Sequence, residues 1–282
     1  MNQATDSLAK LAKLNYFKHS PDLVVVGGNG FVGRYICRIA AQCGLIPVSI
    51  SVNPFPPVYS SDDPENQQWV TRTQWRQGNA IKPDTWDPQV VEAGCTAMIY
   101  TTRPSYRNEK RLWECNYEGA LHSIEMARQM KANRFVYVST NFMPPVATKA
   151  ERETKKRAEE ALIEYSKESQ STASPIGLSI IKPGWVYGND RISTSLIGLT
   201  LHYLLDPHGT NKPSRNLSSI SVKTLAMAAV CQALDPELPS IMKLYNNQLQ
   251  IYSDPQAKVW LEDMAKRIFN LKQASRSLYD YE

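Results

Sequence analysis

The stretch Val24–Gly33, with the sequence VVVGGNGFVG, decides the fold of this chain. A short apolar run comes first, and Gly27, Gly30 and Gly33 then follow at equal spacing. The first glycine permits a tight turn out of a strand, the second lets the backbone approach a pyrophosphate, and the third lets helix and strand pack closely. A helix that begins here directs free N–H groups and the positive end of its dipole at phosphates. The stretch therefore predicts a dinucleotide-binding strand, turn and helix.

The residues of this loop also bear on which dinucleotide binds. We expect contacts from Gly27, Asn29, Gly30, Phe31, Val32, Gly33 and Arg34. The next apolar run ends at Asn53 without the acid that holds a ribose 2′-hydroxyl in such sites, and without an arginine. Arg34 could instead reach a 2′-phosphate, or it could be an ordinary surface residue of the helix. The sequence thus slightly favours NADP over NAD.

Apolar runs and helical segments alternate outward from this stretch. The predicted strands are Leu23–Val26, Leu45–Val52, Thr73–Gln77, Thr96–Thr101, Arg134–Ser139 and Leu178–Lys182, and the predicted helices are Phe31–Gln42, Pro83–Ala93, Glu109–Met130 and Lys149–Lys167, with a loop from residue 53 to about Asn66. This alternation indicates βαβ units with right-handed crossovers. The predicted fold class is therefore α/β, with a doubly wound parallel (Rossmann) sheet.

Beyond Gly188 the alternation becomes less regular. The pattern predicts helices at Ile192–Leu205, Val222–Leu234 and Pro255–Leu271, a loop at Asp206–Ser214 and a strand-like stretch at Lys243–Ile251. We therefore expect three parts. Residues 1–21 would be a leader or docking segment, and 22–190 the dinucleotide-binding domain. Residues 191–282 would be a smaller C-terminal α/β part, for substrate or partner, packed on that domain.

Composition argues against several classes of protein. The net charge of +5 comes from scattered basic residues, so no direct nucleic-acid binding is expected. The densest basic cluster, Lys155–Arg157, has glutamates on both sides, which is typical of a solvated helix face. The five cysteines form no C-x-x-C pair and are odd in number, which favours reduced thiols. The four histidines lack metal-ligand spacing, so no metal site is expected.

The first residues of the chain form an amphipathic pattern. Leu8, Leu11, Leu14 and Phe17 fall on one helical stripe among lysines, with Asp6 the one acid of the segment. Such a pattern is compatible with a mitochondrial targeting or docking helix, and equally with a plain amphipathic leader.

Several later landmarks follow the glycine loop in a fixed order. They are Trp75–Asn79 followed by Pro83, Asn116-x-x-Gly119, Phe135–Ser139, and Ile181–Gly188 with the sequence IKPGWVYG. With these landmarks the chain resembles the short-chain dehydrogenase/reductase superfamily, in its atypical branch that includes NAD-dependent epimerase-like proteins. The resemblance implies further dinucleotide contacts at Asn79, Thr101, Ser139, Lys155 and Pro183.

Within that branch the chain is most similar to two mitochondrial groups. One is the Rossmann-fold accessory subunit of respiratory complex I, and the other is the accessory factor of coenzyme Q biosynthesis. The resemblance implies partners in a mitochondrial complex, peripheral membrane association through that complex, and a location on the matrix side. A plastid or the cytoplasm is the alternative location.

The catalytic tyrosine of the superfamily is absent from its expected place. Catalysis there uses Tyr-x-x-x-Lys after the fifth strand, where the lysine lowers the pKa of the phenol and a serine orients the substrate oxygen. Here Ser139 and Lys155 match, but the residue four before the lysine is Glu151. A carboxyl has an unperturbed pKa about six pH units below that of a phenol, so we interpret Glu151–Lys155 as a surface ion pair. Tyr106 and Lys110 fit the motif after the fourth strand, which is the wrong position in the chain.

These residues favour one function and leave two others open. The first is a dinucleotide-binding accessory protein of a mitochondrial assembly that is non-catalytic or weakly catalytic, with Ser139 and Lys155 as its residual catalytic residues. The second is an active NAD(P)-dependent reductase or epimerase with a non-standard acid, such as Tyr106 or a group of the substrate. The third is an RNA- or ribosome-associated role, which the balanced charge clusters do not favour.

Overall fold

A seven-stranded parallel sheet forms the centre of the molecule. The computed structural model describes residues 21–58, 64–104, 108–141, 149–188 and 219–279. The strands are β1 Leu23–Val26, β2 Pro47–Ser51, β3 Gln74–Gln77, β4 Ala97–Tyr100, β5 Arg134–Val138, β6 Gly177–Lys182, β7 Trp185–Tyr187, β8 Ser219–Ser221 and β9 Ile241–Tyr245. The order in the main sheet is β3-β2-β1-β4-β5-β6-β9, and β7 pairs with β8 in a separate parallel ribbon. The α/β doubly wound fold is thereby confirmed.

Helices connect the strands and cover both faces of the sheet. They are α1 Phe31–Gln42, α2 Pro64–Arg72, α3 Pro88–Ala93, α4 Glu109–Trp113, α5 Gly119–Gln129, α6 Lys149–Ser169, α7 Val222–Leu234, α8 Asn246–Leu249 and α9 Pro255–Tyr279. Single turns of 3₁₀-helix lie at Pro83–Thr85 and Gln250–Ser253, and a π-helical turn at Glu114–Glu118 joins α4 to α5.

Two apolar cores lie on opposite faces of the sheet. Alternate residues of β1 point into each, so that Leu23 and Val25 belong to one core and Val24 and Val26 to the other. The first core contains α1 and the largely buried α7, and the second contains α5 and α6. Because both faces are covered, every residue of β1 is buried, which explains its continuous apolar sequence.

Several predicted elements differ from the observed ones. The region given as a loop to Asn66 contains the start of α2, and the helix predicted at Pro83–Ala93 is a 3₁₀ turn followed by α3. The helix predicted at Glu109–Met130 is interrupted by the π-helical turn. The strand-like stretch Lys243–Ile251 is wrong in its second half, because the chain turns into α8 at Asn246, where Gln248 Oε1 accepts a hydrogen bond from the Tyr245 N–H at 2.9 Å.

The last strand of the main sheet, β9, comes from the part of the chain that we predicted to be a smaller C-terminal unit. It pairs in parallel with β6 and extends the sheet. Within the described part of the chain, no helix is both long and apolar enough to cross a membrane. The predicted leader, the helix at Ile192–Leu205, the loop at Asp206–Ser214 and Tyr106 lie outside the described residues.

Candidate dinucleotide site

The glycine loop connects β1 to α1 and has the geometry that its sequence predicts. Gly27 has a φ of +84°, a left-handed conformation that glycine adopts without strain. A Cβ atom at Gly33 would lie 2.2 Å from the Gly27 carbonyl oxygen, so no side chain fits there. Gly28, which the sequence analysis did not single out, lies so close to Ser49 that a Cβ would be 2.5 Å from its Oγ. Two glycines of the loop are therefore required by packing.

Gly30, unlike Gly28 and Gly33, lies where a side chain would meet little of the surrounding protein. It is the N-cap of α1 with extended backbone angles, and no side chain caps this helix in the described structure. A Cβ at Gly30 would meet one atom within 4 Å, the Gly27 carbonyl oxygen at 3.1 Å. No acidic side chain lies in the first turn, which contains Phe31, Val32 and Gly33. The uncapped N-terminus of α1 thus faces open space, as an anion site requires.

Thr101 supports the glycine loop from the next strand in the sheet. Its backbone N–H donates to the Val26 carbonyl at 2.9 Å, and its hydroxyl lies 3.2 Å from the same oxygen and 3.3 Å from the Gly27 carbonyl oxygen. β1 and β4 are the neighbours between which the strand order reverses. Thr101 therefore fixes the loop at the switch point where α/β sheets bind ligands.

Asn29 ties the glycine loop to the segment after β2. Its side-chain amide donates to the carbonyl oxygens of Asn53, at 3.1 Å, and Phe55, at 2.8 Å. Its backbone N–H donates to the Ser51 hydroxyl at 3.1 Å. Arg34 Nε lies 3.0 Å from the Asn29 carbonyl oxygen and 3.1 Å from its Oδ1. This arrangement fixes the Arg34 guanidinium beside the end of β2, where a ribose 2′-substituent would be recognised.

Asn79 lies after β3 and stabilises a local turn. Its side-chain oxygen accepts a hydrogen bond from the Ile81 N–H at 3.0 Å. Its carbonyl oxygen accepts from Lys82 N–H at 3.0 Å and from the Trp86 indole at 3.1 Å. The adenine contact that the family resemblance implies could therefore use the free amide nitrogen of Asn79 or the second acceptor site of its side-chain oxygen.

Helix α6 directs charged side chains into the protein, which corrects the predicted solvated face. Glu151 and Lys155 are only 2% and 7% exposed, and Glu159 is buried as well. These three residues are four apart and share one face of the helix with the buried Ala158 and Leu162. The predicted surface pair Glu151–Lys155 is therefore wrong. The exposed pairs of α6 are formed by other residues, namely Lys156 with Glu160, and Arg157 with Glu153 and Glu160.

The buried residues belong to a larger group that we call the ionic cluster, consisting of Arg103, Glu151, Lys155, Glu159 and Lys182. Glu159 accepts a hydrogen bond from the Ser139 hydroxyl at 2.6 Å and another from Lys182 Nζ at 2.8 Å. Ser139, at the end of β5, and Lys182, at the end of β6, are thereby joined through α6. Sequence reasoning did not assign a role to Glu159, although its position four residues after Lys155 places it on the same helix face.

Lys155 is a buried cation of the cluster. Its Nζ makes no hydrogen bond to any described residue and lies over the ring of Tyr137, with 5.7 Å between Nζ and the ring centroid. Burial, together with the charge of Arg103, lowers the pKa of Lys155 to about 8, against the opposing effect of Glu151 and Glu159. An ammonium in this environment would bind an oxygen acceptor of a ligand favourably.

Glu151 occupies the position of the missing tyrosine. Its Oε1 lies 3.8 Å from Arg103 Nη2, a side chain that is about half exposed. Burial raises the pKa of the Glu151 carboxyl above its ordinary value, and the positive charges of Arg103 and Lys155 act in the opposite direction. The protonated form of Glu151 is thus more accessible than in a surface glutamate.

Two nearby tyrosines are bound to the backbone of the π-helical turn. The Tyr100 hydroxyl donates to the Cys115 carbonyl oxygen, and the Tyr137 hydroxyl donates to the Asn116 carbonyl oxygen at 3.2 Å. Burial raises the pKa of both phenols above the ordinary value. Neither phenol therefore has the lowered pKa that the superfamily's proton transfer requires.

The segment after β6 returns the chain to the glycine loop. Pro183 is buried, and its carbonyl oxygen accepts from the Asn141 N–H at 2.7 Å. Gly188 lies against the start of α1, since a Cβ there would be 3.1 Å from the Phe31 ring. The segment therefore runs from Pro183 to Gly188, where it meets Phe31 at the start of α1.

The described residues fit a dinucleotide. The uncapped N-terminus of α1 suits the pyrophosphate, and the buried Lys155 ammonium suits the hydroxyls of a ribose. No group of three or more potential metal ligands occurs among the described residues.

Comparisons with known proteins agree with this architecture. The model of the NAD dependent epimerase/dehydratase family matches residues 23–168. An uncharacterized chloroplastic protein of Arabidopsis thaliana is 24% identical over 80% of this chain and 75% of its own length. The MIOREX complex component 2 of Saccharomyces cerevisiae is 38% identical, but over only 23% of each chain.

Solved structures show the same fold at low identity. The 3-hydroxyacyl-CoA dehydrogenase type-2 of Mycobacterium avium superposes with a TM-score of 0.62 at 14% identity, over 81% of this chain and 96% of that one. The Bordetella bronchiseptica enzyme WbmG, solved in complex with NAD, gives a TM-score of 0.53 at 10% identity, over 84% and 77%. Since the family model spans more than half of the 282 residues, this protein belongs to the NAD dependent epimerase/dehydratase family.

Proposed function

We propose that this chain binds a nicotinamide dinucleotide as a structural ligand of an organellar assembly and does not carry out the standard short-chain dehydrogenase reaction. The observation that carries the proposal is the hydrogen bond from Ser139 to Glu159. A hydroxyl has one proton to donate, and this bond uses it inside the protein. The serine that would orient a substrate oxygen is therefore engaged elsewhere.

The position of the proton donor supports the same conclusion. Glu151 replaces the tyrosine, and the Lys155 ammonium has no phenol on its helix face to activate. The phosphate-facing end of α1 meanwhile remains uncapped in the described structure. Binding features are thus present on one side of the switch point, while proton-transfer features are missing on the other.

The expected dinucleotide is NADP or NAD. The family and the NAD-bound WbmG support a nicotinamide dinucleotide. Arg34 supports NADP, because its guanidinium is fixed beside the end of β2 by Asn29. The contacts at Asn79 and Pro183 belong to the same proposal.

The names of the two curated relatives support an organelle. One relative is chloroplastic and the other is a component of the MIOREX complex. We propose the matrix side of the mitochondrion, in a protein complex of the complex I or coenzyme Q type, with any membrane association arising through that complex. The plastid is the alternative location.

A second candidate is an active reductase or epimerase with a non-standard acid. It is favoured by Glu151, which is buried at the tyrosine position and has a raised pKa. A protonated carboxyl there could give its proton to a substrate oxygen. Tyr106, the acid suggested by the sequence, remains a prediction.

One experiment separates the two candidates. The full chain is purified, and its bound nucleotide is released and identified by mass spectrometry. Oxidation of NADH and NADPH is then followed with ketone and quinone substrates, and conversion of sugar nucleotides, which consumes no net dinucleotide in an epimerase, is followed by chromatography of the products. The accessory function predicts a bound or bindable dinucleotide without turnover. Turnover that is lost in Glu151→Gln or in Tyr106→Phe would establish the enzyme instead, and absence of any dinucleotide binding would contradict both candidates.

A further inference from the structure

A shallow groove lies on the surface between α5 and the stretch that contains α3. It has a volume of about 490 Å³ and is open to solvent. Apolar side chains form half of its lining, namely those of Pro83, Trp86, Pro88, Val91 and Met126. An open groove with apolar lining suits the side chains of an amphipathic segment better than it suits a small molecule, which binds in deeper and more enclosed cavities.

The charged side chains of the groove are all negative. Asp84, Glu92 and Glu125 line it, and none of the described lining residues is a lysine or an arginine. Glu125 is paired with Arg128 at 2.8 Å, whose hydrogen bond lowers the pKa of that carboxyl to about 2. Asp84 and Glu92 are exposed and form no ion pair with any described residue. The groove therefore attracts positive charge.

The groove reaches the edge of the sheet at which the described chain begins. Parallel strands start at one edge, and Leu23 at the start of β1 pairs with Ala97 at the start of β4. Both helices end at this edge, since α3 stops at Ala93, before β4, and α5 stops at Gln129, before β5. Glu92 and Gln129, at these helix ends, line the groove. The chain that precedes β1 therefore leaves the sheet close to the groove.

We propose that the segment Leu8–Lys18 of this chain binds in the groove. The segment lies outside the described residues, but its sequence has the complementary chemistry. It carries the apolar stripe described above, three lysines and no acid. The apolar side chains would cover the apolar lining, and the lysines would face Asp84 and Glu92.

The connection between the segment and β1 is long enough for this arrangement. The chain from Lys18 to Leu23 spans up to about 17 Å when extended. Packed layers of secondary structure lie about 10 Å apart. The segment can therefore pass from the edge of the sheet onto the helices that cover it.

This inference is independent of dinucleotide binding and concerns the segment that the sequence predicts as a leader or docking helix. In the groove its apolar stripe is covered by the protein itself. When released, the stripe is exposed to a membrane or a receptor. The groove would thus control whether the segment is available to another partner.

Carbodiimide cross-linking of the full chain tests the contact, because this reagent joins a lysine to a carboxylate only when the two groups touch. We expect mass spectrometry of the monomeric product to identify links from Lys10, Lys13 or Lys18 to Asp84 or Glu92. Links from these lysines only to carboxylates outside the groove, or no links from them, would overturn the inference. Links to the groove found only in a product of twice the mass would assign the groove to the segment of a second copy, and would overturn it as well.

Charge reversal provides a second measurement. Glu92→Lys should raise the rate of tryptic cleavage after Lys10 and Lys13 about fivefold, because cleavage follows the released fraction of the segment. Adding Lys10→Glu and Lys13→Glu to this variant restores opposite charges and should produce a cross-link at position 92. An unchanged cleavage rate in Glu92→Lys, or no cross-link at position 92 in the combined variant, would contradict binding in the groove.

Glu237→Lys is the matched control. Glu237 is exposed like Glu92, but it precedes β9, the outermost strand of the sheet, three strands away from β4. The variant changes the net charge as Glu92→Lys does, and the cleavage rate should stay as in the wild type. An equal acceleration in both variants would show that net charge, and not the groove, sets the rate.

Discussion

Gly30→Asp should abolish dinucleotide binding without destabilising the protein. Gly30 is the N-cap of α1, with a φ of −76° and a ψ of 171° that any residue can adopt. Aspartate is a preferred N-cap residue, and its charge also suits the positive end of the helix dipole. The same carboxylate would occupy the space in front of α1 and repel a pyrophosphate. Dinucleotide binding should therefore be lost while the stability of the unliganded protein is preserved.

The magnitudes follow from these two effects. Replacing glycine by aspartate at an N-cap stabilises a helix by a few tenths of a kcal/mol. The new Cβ would lie only 3.1 Å from the Gly27 carbonyl oxygen, and this close contact offsets part of that gain. The unliganded melting temperature should therefore stay within about 1 °C of the wild type. In the wild type, ligand at a hundred times Kd adds about 2.7 kcal/mol, which corresponds to a rise of about 5 to 10 °C in a protein of this size.

Differential scanning fluorimetry with and without NADPH or NADH measures both quantities. Gly30→Asn is the control for volume, since asparagine caps as well as aspartate but carries no charge. We expect it to keep part of the ligand-induced rise, whereas Gly30→Asp keeps none. A full ligand-induced rise in Gly30→Asp would refute the assignment of phosphate binding to this helix end. An unliganded melting temperature lowered by more than about 5 °C would refute the capping argument.

Three further predictions concern neighbouring residues. Gly33→Ala should destabilise the protein by about 1–3 kcal/mol in chemical denaturation, because its Cβ would lie 2.2 Å from the Gly27 carbonyl oxygen; unchanged stability would contradict the close packing. Arg34→Gln should weaken NADPH binding about tenfold in calorimetry and leave NADH unaffected, and an equal loss for both would exclude 2′-phosphate recognition. The lowered pKa of Lys155, about 8 in the folded state, means that the unfolded chain binds more protons above pH 8, so this residue makes stability rise with pH between about 8 and 10.5. Lys155→Met should remove that rise, which the difference between wild-type and variant unfolding curves at each pH would reveal.

The glycine loop could be predicted from the sequence because its determinants are local. The apolar run, the three spaced glycines and the start of α1 lie within ten residues of each other, and each glycine has a reason that depends on the loop itself. The strands β1, β2, β4, β5 and β6 are predictable for the same reason, since each is a short, largely apolar run with turn residues at its ends. Local sequence therefore suffices for most strands of the sheet and for the geometry of the glycine loop.

The ionic cluster could not be predicted, because its burial depends on distant parts of the chain. Opposite charges four residues apart, such as Glu151 and Lys155, are typical of a solvent-exposed helix face, so the sequence predicts that this face of α6 is exposed. The face is instead buried, and its Glu159 binds Lys182, which lies 23 residues later on β6. One local signal was present, namely that Ala158 and Leu162 share the helix face with these charges.

β9 shows a related difficulty with the end of the sheet. Its sequence, IMKLY, contains a central lysine and is only partly buried, and the pattern predicts a strand that begins two residues late, at Lys243, and continues into α8. Its place is set by parallel pairing with β6, a contact across more than fifty residues. Pairing over such distances is not encoded in a local pattern.

The residues proposed to bind the dinucleotide and the positions that carry proton transfer in the superfamily lie on different sides of the switch point, so one set can change without the other. The phosphate-facing end of α1 is supported by Thr101 and Asn29, neither of which touches α6 in the described hydrogen bonds. Ser139, in contrast, is held through Glu159 by α6 and β6. A change at the tyrosine position therefore alters the charge around Lys155 without disturbing the glycine loop. Under the proposed function, the hydrogen bond between Ser139 and Glu159, rather than the fold or the glycine loop, distinguishes a structural ligand from a reactant.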